Sequence, residues 1–224
     1  MRELNKKELI PIALLIVAAL LAIYVYPLLP AEVPMHWNAA GEVDSYGSKL
    51  FHVLLYPGII VFIYALFELI PRIEVFRKNI KDFMKHFFIM KVAIMAFMIY
   101  IFALTTLPAL GYAINFNVFL MPAVGLLMVI IGYLIKFAKR NFFVGIRTPW
   151  TLASDTVWKK THELGSWVFM AMGVWLAVVG LILSPKYLVW GILVPVLGSV
   201  VWMFVYSYLL YKKESEDFQK EPKL

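Results

Sequence analysis

The sequence predicts an all-α, polytopic integral membrane protein. Its six transmembrane helices carry a small extracytoplasmic cap between the first and second, with both termini in the cytoplasm. Three observations carry that expectation. Hydrophobic residues make up 62% of the 224-residue chain and charged residues only 16%, with a mean hydropathy of +0.81, whereas soluble domains run at roughly 45–50% and about 25%. The apolar residues gather into stretches of about 20, the length that crosses a hydrocarbon core of roughly 30 Å. The Lys and Arg residues fringe those stretches and lie almost entirely on one side of them.

The first span runs from Leu9 to Leu29. It follows a basic start, as a signal peptide does, but it is long for a signal core and has no small-x-small cleavage pattern at its end, so it reads as an uncleaved anchor. The second runs from about Leu50 to Phe67. From Val92 to Ile135 no charged side chain occurs over 44 residues; as one helix at ~1.5 Å per residue this would be about twice the bilayer, so it must fold back once. The polar segment Gly111 to Asn117 is the natural place. Two more spans follow, Leu164 to Leu183 and Tyr187 to Tyr211, around the turn Ser184-Pro185-Lys186.

Orientation follows from the connections, because short loops rich in Lys and Arg stay cytoplasmic. Arg2, Lys6 and Lys7 precede the first span. Arg72, Arg77, Lys78, Lys81 and Lys85 follow the second; Lys136, Lys139, Arg140, Arg147, Lys159 and Lys160 follow the fourth; Lys212, Lys213, Lys220 and Lys223 close the chain. The opposite side receives only Lys49 and Lys186, with Lys91 expected to snorkel from the start of the third span. The net charge of +7 therefore faces lipid headgroups, and membrane lipids, not nucleic acid, are the partners it implies. Absence of cysteine removes disulfides and thiolate chemistry.

Two connections exceed the usual 4–6 residues or so. The outer one, residues 30–49, has Pro30 and Pro34 biasing it toward extended backbone, a turn at Asn38 to Gly41 and a second expected at Tyr46-Gly47. His36, Glu42 and Asp44 match no metal-ligand spacing, and Trp37 suits the interfacial aromatic belt. The inner connection, residues 138–165, is more apolar than a solvated loop. Phe142, Phe143, Ile146, Trp150 and Leu152 are expected to press on the bundle or headgroups. Arg147 is available for a phosphate, a carboxylate or the last carbonyls of a helix, and Gly145 suggests a backbone turn or close approach. Ser154 is a plausible N-cap, Trp158 and His162 share one helical face, and Gly165 ends that helix or bends it into the fifth span.

No enzyme is predicted. His162-Glu163 opens a zincin-like helix, but Ser166 stands where the second histidine is required. No span pairs a serine with a histidine or holds two aspartates; Glu68 and Lys91 read as a structural pair, and Thr105 and Thr106 as ordinary helix packing or back-bonding.

The stretch Asn-x-x-x-Gly-Ile-Arg-Thr-Pro-Trp-Thr-Leu from Asn141, followed by Ser154, Trp158, Thr161, His162 and Gly165, resembles the signature of the SdpI family. The outer segment Pro34-Met35-His36-Trp37-Asn38-x-x-Gly41, then Asp44 and Lys49, resembles the uncharacterised domain that commonly precedes it. The likeness covers about residues 10–210 and divides the chain into a first helix pair, 1–70, and an SdpI-like four-helix region, 71–224. It implies an immunity and receptor-like signalling protein without a cofactor or metal. A secreted peptide toxin or amphipathic ligand would meet His36, Trp37, Asn38, Gly41, Asp44 and Lys49 outside. Inside, Asn141, Gly145, Arg147, Thr148, Pro149, Trp150, Trp158, Thr161 and His162 would transmit a signal or dock a small DNA-binding repressor. The alternative reading is a small transporter or channel for a lipid-like or peptide substrate.

Overall fold

The computed structural model describes residues 8–220; Arg2, Lys6, Lys7 and Lys223 of the charge argument lie outside them. Among the described residues six helices are long and apolar enough to cross a membrane. They are α1 (Leu9–Val25), α2 (Lys49–Ile73), α3 (Arg77–Ala109), α4 (Phe116–Ile135), α6 (Asp155–Ile182) and α7 (Pro185–Lys220), with a five-residue helix α5 (Pro149–Ala153) between α4 and α6. The expected fold-back falls between α3 and α4, where Gly111 takes a φ of +89° and Asn115 caps α4 by accepting the Val118 N–H.

The helices outrun the apolar stretches that announced them. α3 starts at Arg77, not Val92, because its basic first turns remain helical beyond the apolar segment. α6 runs unbroken from its Ser154 cap through Gly165, which therefore does not end it: the missing side chain there admits Ile146, which a Cβ would overlap. α7 continues past Tyr211, with Lys212 and Glu216 paired at 3.8 Å one turn apart.

Between α1 and α2 the cap is an antiparallel hairpin, β1 (Glu32–Trp37) with β2 (Val43–Ser48). Glu32 lies opposite Ser48 and Trp37 opposite Val43, with irregular pairing around His36. Tyr46-Gly47 is not a turn but lies within β2. Gly47 faces Val33, and the Met35 side chain occupies the space its Cβ would take, so the glycine serves cross-strand clearance.

Three clusters of buried residues bind the bundle. Val25, Leu29, Val33, Val53, Tyr56 and Phe102 join the hairpin to α1–α3. Ala18, Ile60 and Met95 lie further along the same three helices. At the far end, Phe67, Ile70, Phe83 and Phe87 meet Leu134, Ile135, Ala138 and Trp158. α4 and α6 approach backbone to backbone. A Cβ on Gly125 would strike the Gly173 carbonyl and one on Gly173 the Gly125 carbonyl, while Gly180 receives Met121. Such small-residue seams are how helices associate where lipid removes a hydrophobic incentive.

Lys91 corrects the snorkelling expectation. It is 3% exposed, and its Nζ lies 3.0 Å from Glu68 and 3.0 Å from Glu8, so one ammonium ties α2 and α3 to the residue preceding α1. A charge this deep in a bundle is tolerated when paired, and here the pairing competes successfully with extension to the interface. Thr105 and Thr106 bond back to the carbonyls of Ile101 and Phe102, and the Thr106 hydroxyl also lies 3.0 Å from His52 Nε2, wholly buried.

Candidate functional site

The connection from α4 to α6 folds around buried polar side chains. Asn141, 1% exposed, accepts the N–H groups of Phe143 (2.9 Å) and Val144 (2.7 Å) on its Oδ1. Its Nδ2 donates to the carbonyls of Lys139 and Val144. One asparagine thus satisfies a turn that would otherwise bury unpaired backbone groups. The chain then passes Gly145, whose φ of +111° few side chains tolerate and whose missing Cβ makes room for the His162 ring.

His162 is held at both nitrogens. Nε2 accepts the Ile146 N–H at 2.9 Å, and Nδ1 lies 2.8 Å from the Trp158 carbonyl, which can only accept. The ring is therefore the neutral Nδ1–H tautomer in this arrangement. Trp158 stacks on it at 4.0 Å and donates its indole N–H to the Ala138 carbonyl at 2.7 Å. Thr161 is also buried on α6, and among the described residues its hydroxyl has no hydrogen-bond partner.

Thr148 opens α5 through a reciprocal cap with Thr151, and Pro149 fills the first helical position, where a missing N–H costs nothing. The Thr148 hydroxyl also donates to Ser207 of α7 at 3.0 Å. Trp150 packs against Phe204 and Tyr208 of the same helix. Arg147 is exposed and donates one N–H to the Phe142 carbonyl. Of the three acceptors expected for it, a backbone carbonyl is present, though from a turn and not from a helix end.

All nine inner candidates therefore fall in one folded unit: Asn141, Gly145, Trp158, Thr161 and His162 form its centre, Thr148 and Trp150 its α7 face, Pro149 the start of α5, and Arg147 its exposed edge. Glu74, which the sequence reading passed over, anchors the unit. At 1% exposed it accepts the N–H groups of Phe76 (2.9 Å) and Phe142 (3.0 Å), while Asn79 donates to the Arg140 carbonyl. Its only sequence signal was an acid set between Ile73 and Val75 at a helix end. Arg140 was similarly counted only as charge. It lies 3.0 Å from Asp155 and donates to the Leu152 carbonyl.

The six outer candidates lie at the opposite end, on the hairpin and the start of α2. Asn38 forms the turn, its Oδ1 accepting the N–H groups of Ala40 and Glu42, and Gly41 supplies a φ of +79°. Trp37 stacks on Phe116 at 4.0 Å, and Asn117 donates to the Ala39 carbonyl, so the hairpin is clamped to the first turn of α4. Trp37 is thereby committed to the protein more than to an interfacial belt. Lys49 donates to the Leu29 carbonyl and lies over the Tyr26 ring. His36 and Asp44 remain on the surface, paired at 2.5 Å. Among the described residues no three His, Asp or Glu side chains converge as metal ligands.

Residues 138–208 match the family model described as the SdpI/YfhL protein family, and residues 13–61 match a domain of unknown function, DUF1648. The chain is 31% identical over 209 residues to the Immunity protein SdpI of Bacillus subtilis (strain 168), an alignment covering 93% of this chain and 97% of that one. No solved structure matches. Six membrane-crossing helices and this kinship make it a multi-pass protein of the cell membrane. A likeness that extends over nearly the whole of both chains, together with the family match across residues 138–208, establishes that the chain belongs to the SdpI family.

Proposed function

We propose that this protein confers immunity at the cell membrane. The hairpin end meets a secreted peptide toxin or similar amphiphile, and the unit at 141–165 reports the encounter on the cytoplasmic side. The observation that carries this reading is a continuous packed route. Trp37 stacks on Phe116 at the start of α4, Gly125 of α4 meets Gly173 of α6, and α6 begins in the His162 cluster that holds residues 145–146. A displacement of the hairpin by a ligand is thereby transmitted without crossing a flexible joint, provided that the bundle has two arrangements of unequal ligand affinity. The relative named for immunity supports the outer half of the reading; a small DNA-binding repressor docked at the 141–165 unit is its inner half.

The orientation belongs to the same proposal. Among the described residues the basic side chains of the α2–α3, α4–α6 and C-terminal segments crowd the end that bears 141–165, as a cytoplasmic end requires.

The test is survival of a sensitive host that expresses the protein and is challenged with a membrane-active peptide toxin. The wild type is expected to protect, Trp37→Ala to lose protection, and Arg147→Ala to keep it while losing any transcriptional response. Failure of the well-inserted wild type across several such toxins would sink the reading. The buried Lys91 with Glu8 and Glu68 favours a second reading, transport, because ionisable groups inside a bundle often line ion or proton pathways. Substrate-dependent flux in proteoliposomes, abolished by Lys91→Met, would move the assignment there.

A further inference from the structure

A cavity of about 340 Å³, open on one side where Val200 is 60% exposed, lies beneath the 145–148 segment, between α4, α6 and α7. Its walls are Met128, Phe169, Met172, Val196, Val200 and Met203, and its polar rim is Arg147, Thr148 and Ser199. Water ordered in it would need two to four polar partners, or about three. The rim supplies few. The Thr148 hydroxyl is spent on Ser207 and the Ser199 hydroxyl on the Val196 carbonyl of its own helix. A space this large and this apolar is matched to a hydrocarbon occupant.

Arg147 supplies the other half of the recognition. Its guanidinium has five N–H donors, and among the described residues only one contact is made, to the Phe142 carbonyl. Arg147 lines this otherwise apolar cavity at the end of the molecule that carries the basic connections. A planar, permanently charged fork is suited to a phosphate. We propose that the cavity binds an acyl chain of an anionic phospholipid whose phosphate is held by Arg147. The site goes beyond the immunity reading and does not depend on it, since neither toxin nor repressor takes part.

The full chain, purified in neutral detergent, is titrated with phosphatidylglycerol and with phosphatidylcholine, and bound lipid is read by native mass spectrometry. Phosphatidylglycerol is expected to bind at least tenfold tighter, with the preference falling as salt rises. Arg147→Gln should reduce phosphatidylglycerol to the phosphatidylcholine level, and Arg147→Lys should retain part of the difference. Ser199→Phe, which fills the cavity and leaves the charge, should weaken both lipids at least tenfold; Val196→Phe serves if that variant does not fold. Equal binding of the two lipids by the wild type, or wild-type binding by monodisperse, helical Arg147→Gln and cavity-filled proteins, would overturn the site. Full displacement by glycerol phosphate would also overturn it, by showing a free-phosphate site without a chain.

Discussion

Gly145 and His162 are two halves of one device: the backbone takes a φ of +111° so that the imidazole can lie against it, and the ring then receives the next N–H. Alanine at 145 meets both the strained backbone, which costs about 1–3 kcal/mol, and the ring. Gly145→Ala is therefore expected to destabilise the detergent-solubilised protein by about 3 kcal/mol in denaturant unfolding. Adding His162→Ala should recover less than it removes, because the backbone strain and an orphaned Ile146 N–H remain. An unchanged midpoint for Gly145→Ala would show that the segment does not hold this conformation. Gly145 and the helical spacing of Trp158 and His162 were legible because turn chemistry and i, i+4 geometry are local, whereas Asn141 was marked only by the family resemblance. Glu74 was not, because its value lies in a partner 68 residues away, Phe142.

Among the elements, the first three helices are joined by charge as well as packing. Removing one member of a buried ion pair costs about 3–5 kcal/mol, because it leaves the other charge uncompensated. The lower end applies here, since the side chains of Glu8 and Glu68 are 26% and 37% exposed and keep some water, whereas that of Lys91 is 4% exposed. Lys91→Met is expected to lower stability by about 3 kcal/mol, and the triple change Lys91→Met, Glu8→Gln and Glu68→Gln to restore most of it. A triple variant no more stable than the single one would deny that the loss is electrostatic. Hydropathy located the spans of these helices but not their ends. The basic first turns of α3 and the tail of α7 are helical without being apolar, so a search for bilayer-length greasy runs stops short of them. The hairpin was foreseen as a cap with one correct turn. Its second strand escaped because Tyr46-Gly47 carries a turn signal that cross-strand packing overrides.

For the whole molecule, six spans place the hairpin and the 141–165 unit at opposite ends of the bundle, and the absence of native cysteine makes the two faces separately addressable. In intact cells a membrane-impermeant maleimide is expected to label Glu42→Cys and to spare Lys160→Cys until the membrane is opened. The reverse pattern would invert the orientation and with it the direction of signalling. The number of spans could be read from composition because a bilayer imposes one length on every helix. Which helices touch was not readable, since the glycines of α4 and α6 form a seam only once both are built. The tie at Glu74 has a consequence for manufacture. At about 5–20 residues per second, the ribosome takes roughly 3–14 seconds to pass from Glu74 to Phe142. For that interval the carboxylate has its near partner, Phe76, and lacks its far one, and Asn79 likewise waits for Arg140. The first three helices can therefore be inserted and packed while this end is still unsealed, and translation itself sets the order in which the molecule closes.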